Sequence, residues 1–227
     1  VFFGGAGVST ESGIPDFRSE KGIYNAMTKY GYSPEVILSH SFYLKNKEIF
    51  FDYYKNNLMF LDAKPTKAHI ALADLEKMGK LKAVITQNID NLHQLAGSKN
   101  VLELHGTLFK NYCTKCGKNF DVEYVMAQTG ITKCDKCGGV VRPDVVLYEE
   151  SLDEETIRRS IEFISNADML IIGGTSLAVY PAAGFINYYN GNKLVLINKS
   201  QTPMDSRADL VINDSIGAVF DRVMKVF

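Results

Sequence analysis

The chain has 227 residues, 46% apolar and 22% charged, with 25 Lys and Arg against 26 Asp and Glu. Those proportions exclude a disordered or fibrous chain, and the length allows one large domain or a large one carrying a small insert. A net charge of -1 argues against a surface made to coat phosphate backbones, so nucleic acid is not the expected ligand, although a local basic patch fits inside a balanced total.

The chain opens at Val1-Phe2-Phe3 with neither a methionine nor a charged region followed by an apolar one, as expected of a fragment beginning inside a strand rather than of a secretory signal. Short runs rich in Val, Ile and Leu then recur at Val1 to Phe3, Ala83 to Thr86, Met169 to Ile172 and Leu194 to Asn198, each closed by glycine or a small polar residue. Such runs predict buried parallel strands. Between them, Thr66 to Lys80 carries apolar residues at helical spacing with Gly79 as its stop, and Ser151 to Ile164 opens on a capping-box pattern of Ser151 and Glu154. Strands alternating with helices predict an α/β fold, a Rossmann-like doubly wound parallel sheet.

Two stretches break the rhythm. Arg18 to about Leu61 mixes Tyr, Phe and Lys at helix-like spacing (Ile49, Phe50, Tyr53, Tyr54) and predicts a helical lobe or lid. Residues 110–143 hold all four cysteines in a Lys-rich background and predict an inserted module. The Rossmann-like part is then 1–17, 62–109 and 144–227. No apolar run approaches the roughly 20 residues that span a bilayer, so a soluble protein is expected.

In a sheet of this type the ligand lies beyond the carboxyl ends of the strands. Gly4-Gly5-Ala6-Gly7-Val8-Ser9 follows the first strand, where glycines let the backbone approach a diphosphate and a following helix would offer its N-terminal N–H groups. The third glycine of the dinucleotide fingerprint is missing, Thr10 standing in its place. Thr86-Gln87-Asn88-Ile89-Asp90, Gly173-Gly174-Thr175-Ser176 and Asn198 put small or amide-bearing residues at three further strand ends.

Cys113-x-x-Cys116 and Cys134-x-x-Cys137, 17 residues apart, have the spacing of a four-thiolate zinc site. Four thiolates leave no position for water, so one structural ion is expected rather than a Lewis acid, and thiols in such pairs suit a reducing, cytoplasmic compartment better than a disulfide framework. Of His40, His69, His93 and His105, the second and third fall in helix-like stretches. His105 instead follows the strand-like Val101 to Leu104, at the ligand rim where a base must reach its proton. Asp16, Phe17 and Arg18, after Gly13-Ile14-Pro15, predict either a solvated loop or a cover that excludes water from a reactive sugar carbon.

Taken in order, these motifs, with Gly13-Ile14-Pro15-Asp16-Phe17-Arg18, His105-Gly106, Arg142-Pro143 and Gly174-Thr175-Ser176-Leu177, resemble the sirtuins, NAD-dependent protein lysine deacylases, over nearly the whole chain. The resemblance implies that NAD and an acyl-lysine protein or peptide meet in a cleft between the Rossmann-like domain and a small zinc-binding domain. It implies that the acyl oxygen attacks the sugar carbon bearing nicotinamide, with Phe17 screening that carbon. Gln87 and Asn88 would orient the ribose, Ile89 and Asp90 would hold the carboxamide, and Gly5, Ala6, Gly7 and Arg18 would line the diphosphate channel, with Ser9 and Asp16 also among the cofactor-binding residues. Gly174, Thr175, Ser176, Asn198 and Ser215 would serve the adenosine end. His105, with Asn88 beside it, would carry catalysis by accepting a proton from the ribose hydroxyls.

By the same resemblance the peptide inserts as a strand between Val145 to Glu150 and Leu177 to Pro181, touching Val146, Tyr148, Glu149 and Val179. One departure stands out: the family commonly has Phe-Gly-Glu where this chain has Tyr148-Glu149-Glu150, which adds a carboxylate beside the groove. The Tyr and Arg pair by which some relatives choose acidic acyl groups is absent, Tyr30 and its neighbouring lysines not reproducing it, so acetyl or another neutral acyl is the expected substrate. Two other readings stay open: mono-ADP-ribosyl transfer to protein, and a zinc ribbon that binds nucleic acid through Lys110, Lys115, Lys118, Lys133, Lys136 and Arg142.

Overall fold

The structure, a computed structural model, describes residues 1–16 and 19–226. Its strands in chain order are β1 (Phe2–Gly4), β2 (Val84–Thr86), β3 (Val101–Glu103), β4 (Gly106–Cys113), β5 (Asn119–Phe120), β6 (Val141–Val145), β7 (Leu170–Gly173), β8 (Leu194–Ile197) and β9 (Leu210–Ile212). Six form one sheet in the order β3-β2-β1-β7-β8-β9, every pairing parallel. With β4–β6 set aside as an insert, this is the doubly wound order 3-2-1-4-5-6, whose switch point lies between β1 and β7.

Parallel strands need both faces covered, which is why these runs are continuously apolar. The helices in chain order are α1 (Glu20–Tyr30), α2 (Pro34–Ile37), α3 (His40–Lys45), α4 (Lys47–Tyr53), α5 (Lys67–Lys77), α6 (Leu92–Ala96), α7 (Val122–Met126), α8 (Glu154–Ser165) and α9 (Ile216–Val223). Phe3, Ile85, Leu102, Ile172 and Leu196 face one way and pack with Ile164 of α8 and with Phe185 and Ile186 of a 3-10 segment. Phe2 and Val84 face the other way, against Ala71, Leu72 and Leu75 of α5 and Val219 and Phe220 of α9. Full burial of one such side chain contributes roughly 1.5–3 kcal/mol.

A third core joins the helical lobe to the insert. Phe50, Phe51 and Tyr54 of the α4 region pack with Leu108, Cys113 and Val125, and the edge-on rings of Tyr43, Phe50 and Phe51 fill its centre. The insert is a three-stranded antiparallel sheet, β5-β4-β6, with α7 beside it. Tyr54 Oη donates to Asn111 Oδ1 at 3.0 Å, so this polar pair inside the core is satisfied.

Two local expectations are corrected. The cap of α8 is Asp153, whose carboxylate accepts from the Glu155 and Thr156 N–H groups, and Ser151 is exposed two residues upstream. An ionised acceptor nearer the positive end of the helix outcompetes the Ser151-Glu154 box. No regular helix follows the glycine turn: Ala6–Val8 and Thr10–Ser12 are single 3-10 turns and α1 starts only at Glu20. The two segments expected to flank the peptide are irregular. β6 stops at Val145, Tyr148 makes a single bridge to Ser39, and 177–181 is bend and turn.

Candidate active site

At the carboxyl rim of the large sheet, below the helical lobe and the insert, lies a cavity of about 420 Å³. Gly5, Ala6 and Ser9 reach it from the turn after β1, Gln87 to Asp90 from the end of β2, His105 from just beyond β3, and Gly174 to Ser176 from the end of β7. Val146, Tyr148 and Glu149 form one wall near its mouth and Val179 another, with Asp16 at the glycine-turn side. A second cavity of about 390 Å³ shares Asp16, Gly174, Thr175 and Ser176 and runs on past Gly7 to Asn198. The two together form a trough across the switch point, long and polar at one end and apolar at the other.

Close backbone approach makes the trough. A Cβ on Gly7 would meet Gly174 Cα at 2.7 Å, and one on Gly5 would meet Thr175 Cβ at 2.8 Å. Gly174 itself has φ 60°, the left-handed conformation that glycine adopts at little cost.

The side chains are tied to one another. Asn88 Nδ2 donates to Ser9 Oγ at 3.0 Å, Ser9 Oγ donates to Asp90 Oδ2 at 2.6 Å, and Asp90 Oδ1 accepts from the Leu92 N–H at 3.0 Å. Burial lifts the Asp90 carboxyl above its ordinary range, against the pull of those donors. Gln87 Nε2 donates to Thr175 Oγ1 at 3.0 Å, and the Thr175 N–H donates to Asn198 Oδ1 at 2.9 Å, linking three strand ends. His105 Nδ1 lies 2.9 Å from the Gln87 carbonyl oxygen. That oxygen can only accept, so Nδ1 carries the proton and Nε2 the lone pair of the neutral ring.

Asn198 Nδ2 is buried and without a partner among the described residues, a donor at the trough's polar end that a nucleotide acceptor would satisfy. With the glycine approach on the floor, the donor set fits a dinucleotide. Ser215 is not part of it: its hydroxyl caps α9, accepting from the Ala218 N–H, while its neighbours Asp214 and Ile216 line the cavity. The periodic Ile216, Val219 and Phe220 that follow it are the signal that marks a cap. Phe17 and Arg18 lie outside the described residues. Sequence reading missed Asn57, Leu58 and Phe60, which line the apolar end, because Asn57 and Leu58 sit in an irregular helical extension and Phe60 just beyond it, with no motif.

The four cysteine sulfurs lie within 4.8 Å of one another, with Cys113 and Cys137 at 3.4 Å and Cys116 and Cys134 at 3.7 Å. A tetrahedral zinc–thiolate centre with bonds of about 2.3 Å has edges of about 3.8 Å, so the set fits Zn2+. Gly117 and Gly138 turn the two knuckles with φ 69° and 68°. His69 and His93 take no part in the trough. They pack ring to ring at 4.5 Å between α5 and α6, and His69 closes the capping box of α5 with Thr66.

These features coincide with known proteins. The Sir2 family profile matches residues 5–181. The NAD-dependent protein deacetylase of Clostridium acetobutylicum is 63% identical over 225 residues, covering 99% of this chain and 92% of that protein. A Sir2 complex with p53 peptide and NAD+ superposes with a TM-score of 0.88 at 40% identity, covering 99% of this chain and 91% of that one. A Sir2 variant with deacetylated p53 peptide and 3'-O-acetyl ADP-ribose superposes at 0.90, also with 40% identity, covering 99% and 92%. A parallel-sheet dinucleotide trough beside a four-cysteine module, matched over this length, defines the class: the chain belongs to the Sir2 family.

Proposed function

We infer that the protein is an NAD-dependent protein lysine deacetylase, removing acetyl or a similar neutral acyl group to give nicotinamide, free lysine and O-acyl-ADP-ribose. The observation that carries the residue assignment is His105, its Nδ1–H held by the Gln87 carbonyl on the same rim as Asn88 and Asp90. Bound NAD supplies a sugar carbon activated by nicotinamide as leaving group. His105 Nε2 then serves as general base for a ribose hydroxyl, and its tautomer is set before substrate arrives. Gln87 and Asn88 orient the sugar, Ile89 and Asp90 hold the carboxamide, and Gly5, Ala6, Gly7 and Ser9 cradle the diphosphate, with Asp16, Phe17 and Arg18 as the cover. Gly174, Thr175, Ser176 and Asn198 hold the adenosine end. Cys113, Cys116, Cys134 and Cys137 hold one structural Zn2+, which supplies folding energy to the small lobe and no chemistry at the trough.

The lobes divide as 1–17, 62–109 and 144–227 for NAD, against 18–61 with 110–143, and the acyl-lysine peptide enters between them past Val146, Tyr148, Glu149 and Val179. Ile14, Leu58, Phe60, Ile89 and Leu108 surround the apolar end of the cavity, and no Lys or Arg is among its described lining residues. That lining supports a neutral acyl: acetylated peptide is expected to turn over faster than its succinylated counterpart, and faster desuccinylation would refute the preference. No helix among the described residues is long and apolar enough to cross a membrane. With no disulfide among the cysteines, a reducing cytoplasmic location is part of this reading. Mass spectrometry of the products from an acetylated peptide with and without NAD tests the whole. O-acyl-ADP-ribose supports deacylation, and ADP-ribose attached to protein supports transfer instead.

A further inference from the structure

Glu149 stands where glycine would cost least. Its φ is 75°, and only Asn91 and Leu177 share a positive φ among the described non-glycine residues. The turn is held by the carboxylate itself, which accepts from the Ser41 N–H at 2.8 Å and the Ser41 hydroxyl at 3.0 Å. Both donors are neutral. The carboxylate is exposed at the cavity mouth, and among the described residues it makes no ion pair. The adjacent Glu150, by contrast, is spent on Arg142 and His40. Apart from His105, the charged residues lining the described cavity are Asp16, Asp90, Glu149 and Glu150, with no cation among them.

We propose that Glu149 is a specificity determinant for the peptide, selecting acyl-lysine sites flanked by a Lys or Arg and disfavouring acidic flanks. The proposal rests on the deacylation reading. The carboxylate is pinned by hydrogen bonds yet not neutralised, so it presents a fixed negative charge to a peptide passing the mouth. An exposed ion pair of this kind is worth about a two- to five-fold preference, and it weakens with salt.

The test is kcat/KM for acetyl-lysine peptides in which each flanking position carries Lys, Gln or Glu in turn. At low salt the unaltered protein is expected to prefer Lys over Glu by about two- to five-fold at one or more positions. The ratio should contract as salt is raised and fall toward one in Glu149→Gln, which keeps a carbonyl oxygen for Ser41. Equal turnover of Lys and Glu peptides by the unaltered protein, or a preference that survives Glu149→Gln, would overturn the proposal. Absence of NAD-dependent turnover with every peptide would instead overturn the deacylation reading itself.

Discussion

At the scale of single residues, the histidines divide by what surrounds their nitrogens. His105 faces the trough with one nitrogen committed to a carbonyl, and His105→Ala is expected to lower kcat/KM by about 100-fold or more, the usual contribution of a general base, while calorimetry still detects NAD binding. His69 and His93 are buried outright, and burial pushes His69 down to about 4 and His93 well below its ordinary 6.5, with the nearby His69 adding to the effect on His93. His69 Nε2, both His93 nitrogens and Ser98 Oγ have no partner among the described residues, so the pair resists protonation in the folded chain. The unfolded chain takes up those protons near pH 6.5. Stability is therefore full above that pH and falls as pH drops below 6.5, the His69 share levelling off below about 4 while the His93 share goes on falling. The expected slope in the window is up to about 1.4 kcal/mol per pH unit for each histidine, read from urea midpoints in a pH series. Replacing His93 by Leu should flatten it, and an unchanged slope would contradict the assignment.

At the scale of elements, the wall of the peptide groove is braced by Arg142 of β6. Its guanidinium lies over the Tyr43 ring at 5.2 Å and pairs with Glu150 at 2.7 and 3.0 Å, while Glu150 also receives His40 Nδ1 and the Leu147 N–H. Although burial alone would raise it, these donors draw the Glu150 carboxyl down to about 2. The stability it contributes is present above its ordinary 4.5 and lost only as pH falls from there to about 2, so the brace persists under mildly acidic conditions. Glu150→Ala should leave a buried guanidinium uncompensated and cost about 2–3 kcal/mol, less than a fully buried pair because 21% of the Glu150 side chain stays in water. Peptide KM should rise with it, and unchanged denaturation midpoints would sink the account. Arg142 is thus a core residue, although a count of basic residues in the insert places it on a nucleic-acid surface. The strands beside β1 are legible in the sequence because each is a short unbroken apolar run between turns. β9 is not, since Leu210 and Val211 lie half exposed at the sheet edge. The helical lobe shows only its periodicity, because α2, α3 and α4 are four to seven residues long and broken by Ser and Asn caps.

For the whole molecule, three apolar cores meet around one trough, and one of them depends on the cysteine cluster. Cys113 is buried in the core that also holds Phe50, Phe51 and Tyr54. Cys113→Ala, or chelation, is expected to release zinc and loosen the small lobe, with peptide turnover lost and the parallel sheet's circular dichroism largely kept. A folded variant with full zinc content would contradict this. The rim residues of the trough are readable from sequence because strand ends carry them in short motifs. The trough's closure by Asn57, Leu58 and Phe60 is a matter of tertiary placement and leaves no such mark. The position of β1 also bears on how the chain is made. It lies between β2 and β7, with Phe3 beside both Ile85 and Ile172, so a strand made long before β7 belongs at the centre of the finished sheet. Translation at roughly 5–20 residues per second leaves it waiting on the order of ten seconds for its second neighbour. The cysteine knuckles, by contrast, close within a short span and can take up metal while the rest is still being synthesised.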